Sequence, residues 1–304
     1  MPRIAYLGPE GTFTEAALLA LTGSGAVPGN IEPLPQDSPA AALQAVRDGV
    51  TDFACVPIEN SIEGSVLPTL DGLATGSPLQ IFAEHTLDVA FSIVARPGVT
   101  IEQIKTVAAF PVAAAQVRGW LSAELPDARV VPANSNAAAA RDVAEGQADA
   151  GVSTALAARR YGLAELAAGV VDERNARTRF VLVGPAGPPP ARTGADRTSV
   201  VLRLDNVPGA LVAAMTELSV RDIDLTRIES RPTRTELGTY KFFLDWVGHL
   251  EDEAVGDALM ALHRRCAEVR FLGSWPTGAA VGALPPQADE AGRWLAQLRT
   301  GGSV

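Results

Sequence analysis

Three polar segments, far apart in the chain, carry residue types that can bind a small anionic molecule and give it a proton. In the first, residues 7–14, a strand end, a turn with two glycines and a helix start follow one another. Backbone N–H groups at the start of a helix are ready donors to a carboxylate. The same segment also fits an ordinary strand–turn–helix connection, and the spacing of Gly8 and Gly11 does not match a dinucleotide-binding fingerprint.

The second and third segments place further hydrogen-bonding groups next to apolar strands. In residues 56–65 a strand gives way to Glu59, Asn60 and Ser61, and polar groups at the carboxyl end of a strand are where open α/β sheets bind ligands. Residues 175–180 run through Thr178 into an apolar strand. The simpler alternative for residues 56–65 is a solvated loop, and for residues 175–180 it is a strand preceded by basic residues.

Composition narrows the class of protein. The 304 residues are enough for two or three packed units, and 47% hydrophobic and 20% charged residues are typical of a globular protein. The net charge of −10 makes nucleic acid or an anionic membrane an unsuitable partner, because the long-range field is repulsive. Two cysteines favour reduced thiols, and we see neither a secretory signal nor an apolar run of about 20 residues. We therefore expect a cytoplasmic enzyme or sensor.

Metal and cofactor chemistry is not indicated. The three histidines, His85, His249 and His263, are scattered, with no ligand spacing among themselves or to either cysteine. No Cys–His or Ser–His–Asp arrangement can be recognised either. We expect an activity that needs no cofactor and no metal.

Strand and helix signals alternate through the first 183 residues, which favours an α/β unit with a mostly parallel sheet. Thr12 and Glu15 fit a capping box at the start of a helix that runs through Leu21. Ser38 and the proline that follows it predict a second helix, with a glycine just past its end. Strands are predicted at residues 3–7, 53–58, 79–83, 89–95, 106–109 and 129–132.

A proline-rich break divides the chain. Residues 185–197 are predicted to be a linker, because the Gly-Pro-Pro-Pro run inside them suits neither helix nor central strand. Beyond it, strands at 199–204, 226–229, 240–247 and 269–272 and helices at 210–220 and 251–266 have the ferredoxin-like order βαββαβ. Residues 277–304 are predicted to be a flexible tail, with a short amphipathic helix at 288–298 that carries Trp294 and Leu298.

Taken together and in order, the three segments resemble the prephenate dehydratases. Residues 8–14 are similar to the GPxGTFS-type segment of that family, residues 57–64 to PIENSxxG, and residues 175–180 to N-x-T-R-F. Residues 206–211 and 228–232 are similar to the signatures of ACT domains, and the resemblance extends from about residue 3 to residue 276. It implies a two-lobed, periplasmic-binding-protein-like catalytic domain in residues 1–184, with the second lobe at about 85–170, and a ferredoxin-like ACT domain in residues 198–276.

The resemblance also implies an activity and a set of site residues. The activity is the decarboxylating dehydration of prephenate to phenylpyruvate, CO2 and water in L-phenylalanine biosynthesis, with feedback regulation by phenylalanine. Loss of the hydroxyl needs an oriented proton donor, and the two substrate carboxylates need hydrogen-bond donors. The implied catalytic residues are Thr178, Asn60 and Gln116. The implied substrate-binding residues are Thr12, Phe13, Glu59, Ser61, Ser135, Arg179 and Phe180.

In one place the sequence departs from the family pattern. Prephenate dehydratases usually carry a Ser-His-Pro-Gln-like segment in the second lobe, whereas this chain has Ala109, Phe110, Pro111 and Val112 there. Gln116, a little further on, is retained. The serine, the histidine and the first glutamine are therefore not expected to be essential in this protein.

The ACT signatures predict an effector site for phenylalanine. A glycine before a helix start lets the backbone approach a ligand, and nearby charges of both signs match a zwitterion. The residues concerned are Asn206, Gly209, Ala210, Leu211, Glu229, Ser230 and Arg231. The alternative is a dimerisation unit whose loop charges are only solvated. Because ACT domains generally pair, we expect a homodimer or homotetramer.

Two other functions stay open at this point. An arogenate dehydratase would perform the same chemistry on an amino-acid substrate. A ligand-binding module without catalysis would have the same two lobes around a cleft, although it would not require the Thr178 segment.

Overall fold

A computed structural model describes residues 1–27, 29–173, 175–234, 236–279, 281–286 and 290–301 of the chain. Two units are distinguished. The first consists of Met1–Leu70 and His85–Leu182, and the second of Asp71–Glu84 and the chain from Val183 onward.

The first lobe of the first unit is built around strands that are buried on both faces. Ile4, Ala5 and Tyr6 are at most 1% exposed, as expected for a central strand of a parallel sheet. Its elements are β1 (Arg3–Leu7), α1 (Phe13–Gly23), β2 (Glu32–Gln36), α2 (Pro39–Arg47), β3 (Phe53–Asn60), β4 (Gly64–Ser65) and α3 (Leu67–Leu73). Strand β1 pairs in parallel with β2 and with β3.

The predicted helix after Ser38 is confirmed, whereas the strand that precedes it, β2, was not predicted. The Ser38 hydroxyl accepts a hydrogen bond from the Ala41 N–H at 3.1 Å, and Pro39 is the first helical residue. Strand β2 was not predicted because it contains Pro33 and Pro35. It lies at the edge of its sheet, where a proline that cannot donate a hydrogen bond is tolerated.

The second lobe contains a mixed sheet. The elements of this lobe are β6 (Phe91–Ala95), β7 (Thr106–Ala109), α4 (Pro111–Gln116), α5 (Arg118–Glu124), β8 (Arg129–Pro132), α6 (Asn136–Ala144), β9 (Ala150–Ser153), α7 (Ala155–Arg160) and β10 (Ala164–Val170). Two strands, β5 (Leu79–Asp88) before them and β11 (Arg177–Pro185) after them in the chain, belong to the first sheet. The sheet order is β10-β6-β9-β7-β8, and that of the first sheet is β2-β1-β3-β11-β5. Strand β7 is parallel to β8 and β9, whereas β6 is antiparallel to β9 and β10.

The second unit has the predicted βαββαβ order, which is confirmed. Its elements are β12 (Asp196–Arg203), α8 (Ala210–Ser219), β13 (Leu225–Pro232), β14 (Tyr240–Val247), α9 (Glu253–Arg265), β15 (Glu268–Pro276) and α10 (Glu290–Arg299). The strands form an antiparallel sheet in the order β13-β14-β12-β15, the ferredoxin-like arrangement. Its core joins Leu202, Leu244 and Trp246 of the sheet to Leu218 and Leu262 of the helices.

A segment from the first half of the chain also belongs to the second unit, which the sequence did not predict. The Arg270 guanidinium donates to the carbonyl oxygens of Leu73, Thr75 and Gly76 at 3.1–3.3 Å. The Trp275 indole N–H donates to the Glu84 carboxylate at 3.0 Å. These partners are more than 190 residues apart in sequence, so no local sequence pattern could predict the contacts.

The linker and the tail differ in detail from the prediction. Strand β11 ends at Pro185 and β12 begins at Asp196, so the first residue and the last two residues of the predicted linker are strand residues. The predicted helix at 288–298 corresponds to α10, although Ala288 lies outside the described residues. Ala283 donates its N–H to Asp224 at 2.9 Å. Among the described residues, no helix has both the length and the apolar character to cross a membrane.

Candidate active site

The side chain of Asn60, the last residue of β3, is held in one orientation. Its Oδ1 accepts hydrogen bonds from the backbone N–H groups of Ile62 and Glu63, at 2.9 and 3.0 Å. The amide nitrogen therefore faces the other way, and it donates to the Thr178 Oγ1 at 2.9 Å. Strands β3 and β11 are neighbours in the sheet, which brings these two residues together.

This contact leaves the Thr178 hydroxyl with a proton to give. The hydroxyl oxygen accepts from Asn60, and a hydroxyl has one donor and two acceptor positions. Its own O–H is then available for a further acceptor. An amide donor on the oxygen also stabilises negative charge that develops there when the proton leaves.

Glu59 and Arg179 form an ion pair beside these residues. The Arg179 Nη2 lies 2.9 Å from the Glu59 Oε2, and the arginine side chain is 7% exposed against 39% for the glutamate. The arginine predicted to bind a substrate carboxylate thus already has a carboxylate partner in the protein. Phe180 is 2% exposed, so it packs in the interior and offers little surface to a ligand.

The Ser61 hydroxyl joins the second segment to the third. It donates to the Asn175 carbonyl oxygen at 3.1 Å and accepts from the Arg177 N–H at 2.8 Å. The Ser61 N–H in turn donates to the Arg177 carbonyl oxygen at 2.8 Å. Since its proton is engaged, this hydroxyl connects two loops in the structure described here.

At the start of α1, the predicted capping box is only half formed. The Thr12 Oγ1 accepts from the Glu15 N–H at 3.3 Å and donates to the Leu7 carbonyl oxygen at 3.0 Å. The Glu15 carboxylate does not return to Thr12, and instead accepts from the Gly11 N–H at 2.5 Å. The prediction for Glu15 was wrong because its carboxylate also has a cationic partner in the second lobe, Arg160.

Phe13 links the two lobes of the first unit. Its ring meets that of Phe91 edge-on, with centroids 5.6 Å apart and planes at 80°, a favourable geometry for two aromatic rings. Phe13 also packs against the apolar core of the second lobe. The side chain predicted to pack near the substrate ring is therefore at the junction between the lobes.

The second lobe contributes two side-chain amides and a capping serine. The Gln116 Oε1, at the end of α4, is buried and has no hydrogen-bond partner among the described residues, and the same holds for the Asn136 Oδ1. Ser135 caps α6, since its Oγ accepts from the Ala138 N–H at 3.0 Å. Asn136 was not among the predicted site residues. Its position next to a capping serine is the only signal in the sequence that could have found it.

The structure joins some predicted site residues directly and leaves others apart. Hydrogen bonds and the ion pair described above connect the second segment with the third through Asn60, Ser61 and Glu59. Within the described part of the chain, no hydrogen bond or ion pair connects Gln116 or Ser135 to them. Ala109 is 1% exposed, and both Ala109 and Phe110 are part of the apolar packing of the second lobe.

Burial disfavours the thiolate form of both cysteines. Cys55 is fully buried, and burial raises its pKa far above the ordinary value. Burial also raises the pKa of the Cys266 thiol. A thiol that stays protonated is a poor nucleophile, so the candidate chemistry rests on hydroxyl and amide groups.

The predicted effector residues lie in the second unit. Gly209 precedes α8 with φ of +80°, and open space surrounds the position that a Cβ would take. Asn206 and Ser230 are exposed, while Ala210, Leu211 and Glu229 are half-buried.

Arg231 is engaged by a residue of the segment 71–84. Its Nε and Nη2 donate to the two oxygens of Asp71, at 3.2 and 3.1 Å, and the Arg234 guanidinium reaches the same carboxylate at 2.7 Å. A fork of this kind is a strong and directional contact. The positive charge that was predicted to help match a zwitterionic effector is thus paired with Asp71.

Comparison with known proteins identifies a family whose members are similar to this chain. A family model described as prephenate dehydratase matches residues 4–187. A prephenate dehydratase of Mycobacterium sp. (strain JLS) is 73% identical over 307 residues, which cover 99% of this chain and 97% of the relative.

Two solved structures are similar over most of the chain. The prephenate dehydratase from Arthrobacter aurescens in complex with L-Phe is 40% identical with a TM-score of 0.88, over 98% of each chain. The quorum quenching acylase GqqA is 29% identical with a TM-score of 0.81, over 90% of this chain and 98% of that one. With a family model over more than half of its length and a relative of this identity, the chain belongs to the prephenate dehydratase family.

Proposed function

We propose that this chain converts prephenate to phenylpyruvate, CO2 and water, with Thr178 as the donor to the departing hydroxyl. The observation that carries the proposal is the 2.9 Å hydrogen bond from the Asn60 amide to the Thr178 hydroxyl. It orients the hydroxyl and leaves its proton for the substrate. The reaction class agrees with the family to which the chain belongs.

The chemistry asks little of the protein beyond orientation and proton supply. The ring carboxylate leaves as CO2, its bonding electrons enter the ring, and the hydroxyl takes up a proton and leaves as water. Aromatisation of the ring supplies the driving force. A positioned donor contributes typically about 10²–10⁴-fold to the rate. A threonine hydroxyl is a weak acid, so we propose that it relays a proton that solvent replaces.

The remaining groups are proposed to hold the two carboxylates and the ring. Thr12 and Ser135 stand at the starts of α1 and α6, where backbone N–H groups without intrahelical partners are ready donors. Arg179 neutralises Glu59, which lowers the repulsion between that carboxylate and a dianionic substrate. The amide of Gln116, whose Oε1 has no partner among the described residues, is the proposed neutral contact from the second lobe.

Regulation by L-phenylalanine is proposed for the second unit. The relative from Arthrobacter aurescens was solved in complex with L-Phe. In this chain the backbone at Gly209 is open to a ligand, and the start of α8 offers donors to a carboxylate. We propose that phenylalanine binds there, contacts the strand that carries Ser230, and lowers activity. We further propose that ACT domains of two chains pair, in a homodimer or homotetramer.

The test is an assay of the purified full-length chain for phenylpyruvate absorbance with prephenate, and in parallel with arogenate. Product from prephenate that persists after dialysis against a chelator, and that falls when L-phenylalanine is added, supports the proposal. No product from prephenate would overturn it, and a faster rate on arogenate would reassign the substrate. The expected absence of a cofactor and the expected cytoplasmic location stay predictions.

A further inference from the structure

Gly11 is held from both lobes of the first unit. Its N–H donates to the Glu15 Oε2 at 2.5 Å, and its carbonyl oxygen accepts from the Thr154 Oγ1 of the second lobe at 2.6 Å. Its φ is +88°, and a Cβ at this position would lie 2.9 Å from the Cβ of Ala157. Only glycine satisfies both the backbone angle and this close approach to α7.

The partner of Gly11, Glu15, is a buried carboxylate whose charge is balanced across the same junction. Glu15 is 1% exposed, and its second oxygen forms an ion pair with the Arg160 guanidinium at the end of α7. Arg160 also reaches the Glu10 carboxylate at 3.2 Å, and its side chain is 37% exposed. A buried carboxylate needs such a partner, since an unpaired charge in the interior is strongly unfavourable.

These contacts converge on the turn that precedes Thr12 and Phe13. Thr154 caps α7, accepting from the Ala157 N–H at 3.0 Å, and Arg160 is the last residue of that helix. Both ends of α7 are therefore attached to the turn at the start of α1. A shift of α7 relative to α1 must then move the residues that are proposed to contact the substrate.

We propose that Glu15, Arg160 and Thr154 form an interlobe latch that positions the start of α1 for substrate binding. This inference rests on the proposed function, and it assigns positioning roles that go beyond the site described above. The latch acts on Thr12 and Phe13, which are proposed to hold the substrate and to take no part in the proton transfer. Its loss therefore weakens ground-state and transition-state binding alike, which raises KM and leaves kcat nearly unchanged.

The experiment compares variants at two neighbouring arginines of α7 in the full-length chain. Arg160→Met removes the charge while keeping an apolar stem. Arg159→Met is the matched control, because Arg159 is exposed and its guanidinium makes no hydrogen bond or ion pair within the described part of the chain. We expect R160M to raise KM for prephenate by about tenfold or more, with kcat within about threefold of wild type. R159M is expected to keep both constants, and Arg160→Lys to restore most of the affinity.

Hydrogen exchange gives a second readout that needs no substrate. Amides in residues 8–16 are expected to exchange faster in R160M than in R159M, while peptides from the second unit stay unchanged. If the wild type is active on prephenate, two results would overturn the latch. One is a KM of R160M equal to that of wild type, and the other is an equal change of KM in R160M and R159M. A wild type without activity on prephenate would instead overturn the proposed function, and the exchange data would still decide whether Arg160 holds the turn.

Discussion

The amide of Asn60 donates a hydrogen bond of 2.9 Å to the hydroxyl of Thr178, across 118 residues of sequence. Two backbone N–H groups fix the amide oxygen, so the nitrogen has one direction in which to donate. The threonine is thereby prepared as a donor before any substrate arrives, and no group has to reorganise when the proton moves.

The first prediction follows from this contact. Thr178→Ala should lower kcat by about 10²-fold or more and leave KM within a few-fold, because the lost interaction acts in the transition state. Steady-state kinetics on prephenate measure both constants. Thr178→Ser is the control and should retain most of the activity, since it keeps the hydroxyl. Near-normal kcat in T178A would show that another group is the donor.

The second prediction concerns the apolar segment in the second lobe. Ala109 is 1% exposed within the packing of this lobe, so a hydroxyl added there is not expected to take part in the reaction. Ala109→Ser should change kcat/KM by less than about tenfold, or about 1.4 kcal/mol. A much larger gain would mean that the usual serine is a catalytic group that this chain has lost.

The third prediction concerns stability at the lobe junction. Gly11→Ala should lower the free energy of unfolding by more than about 2 kcal/mol, because it combines an unfavourable backbone angle with overpacking. The added methyl group would lie 2.9 Å from the Ala157 Cβ and 3.0 Å from its Cα. Gly25→Ala is the matched control, with φ of +80° and open space around its Cβ position. If urea unfolding showed the same loss of unfolding free energy in both variants, the close approach of Gly11 to Ala157 would be contradicted.

The fourth prediction concerns the effector segment. Gly209→Val should weaken inhibition by phenylalanine about tenfold while the uninhibited rate stays within about twofold, consistent with a coupling of about 1–3 kcal/mol. Gly238→Val, at a site with φ of +85° and equally open space, is the control for backbone strain in the same unit. A phenylalanine titration of activity compares them. Unchanged inhibition in G209V would place the effector elsewhere.

A truncated chain would be a poorer test of regulation. Residues 71–84 belong to the second unit, where Arg270 and Trp275 bond to them. A chain cut near residue 187 would lose these partners, so a change in its activity would not report on the effector alone.

The fifth prediction concerns acid stability. The N–H of Lys105 and the hydroxyl of Thr106 hold the pKa of Asp149 below its ordinary value of 3.8. A lowered pKa in the folded state means that the carboxylate stabilises the fold above pH 3.8 and loses this effect as the pH falls through the lowered value. Asp149→Asn should therefore be less stable than wild type at pH 5–7, with a smaller difference near pH 3. Urea unfolding at these pH values measures it, and a constant difference would contradict the assignment.

Several features could be predicted from the sequence because their causes are local. The hydroxyl of Ser38 caps a helix through an N–H only three residues further along the chain. In the second unit, the periodicity of apolar residues predicted the βαββαβ order. The family resemblance rested on three short segments in a fixed order, and it named Asn60 and Thr178 without showing that they touch. Local patterns carry such information because capping and amphipathicity depend on neighbours within one turn.

Other features were decided only by the tertiary structure. The partner of Glu15 is Arg160, 145 residues away, and that of Arg231 is Asp71, at a distance of 160 residues. Strand β2 exists despite two prolines because an edge position requires hydrogen bonds on one side only. A buried charge takes whichever opposite charge the packing of the lobes brings within reach, and that choice depends on long-range geometry that no local spacing encodes.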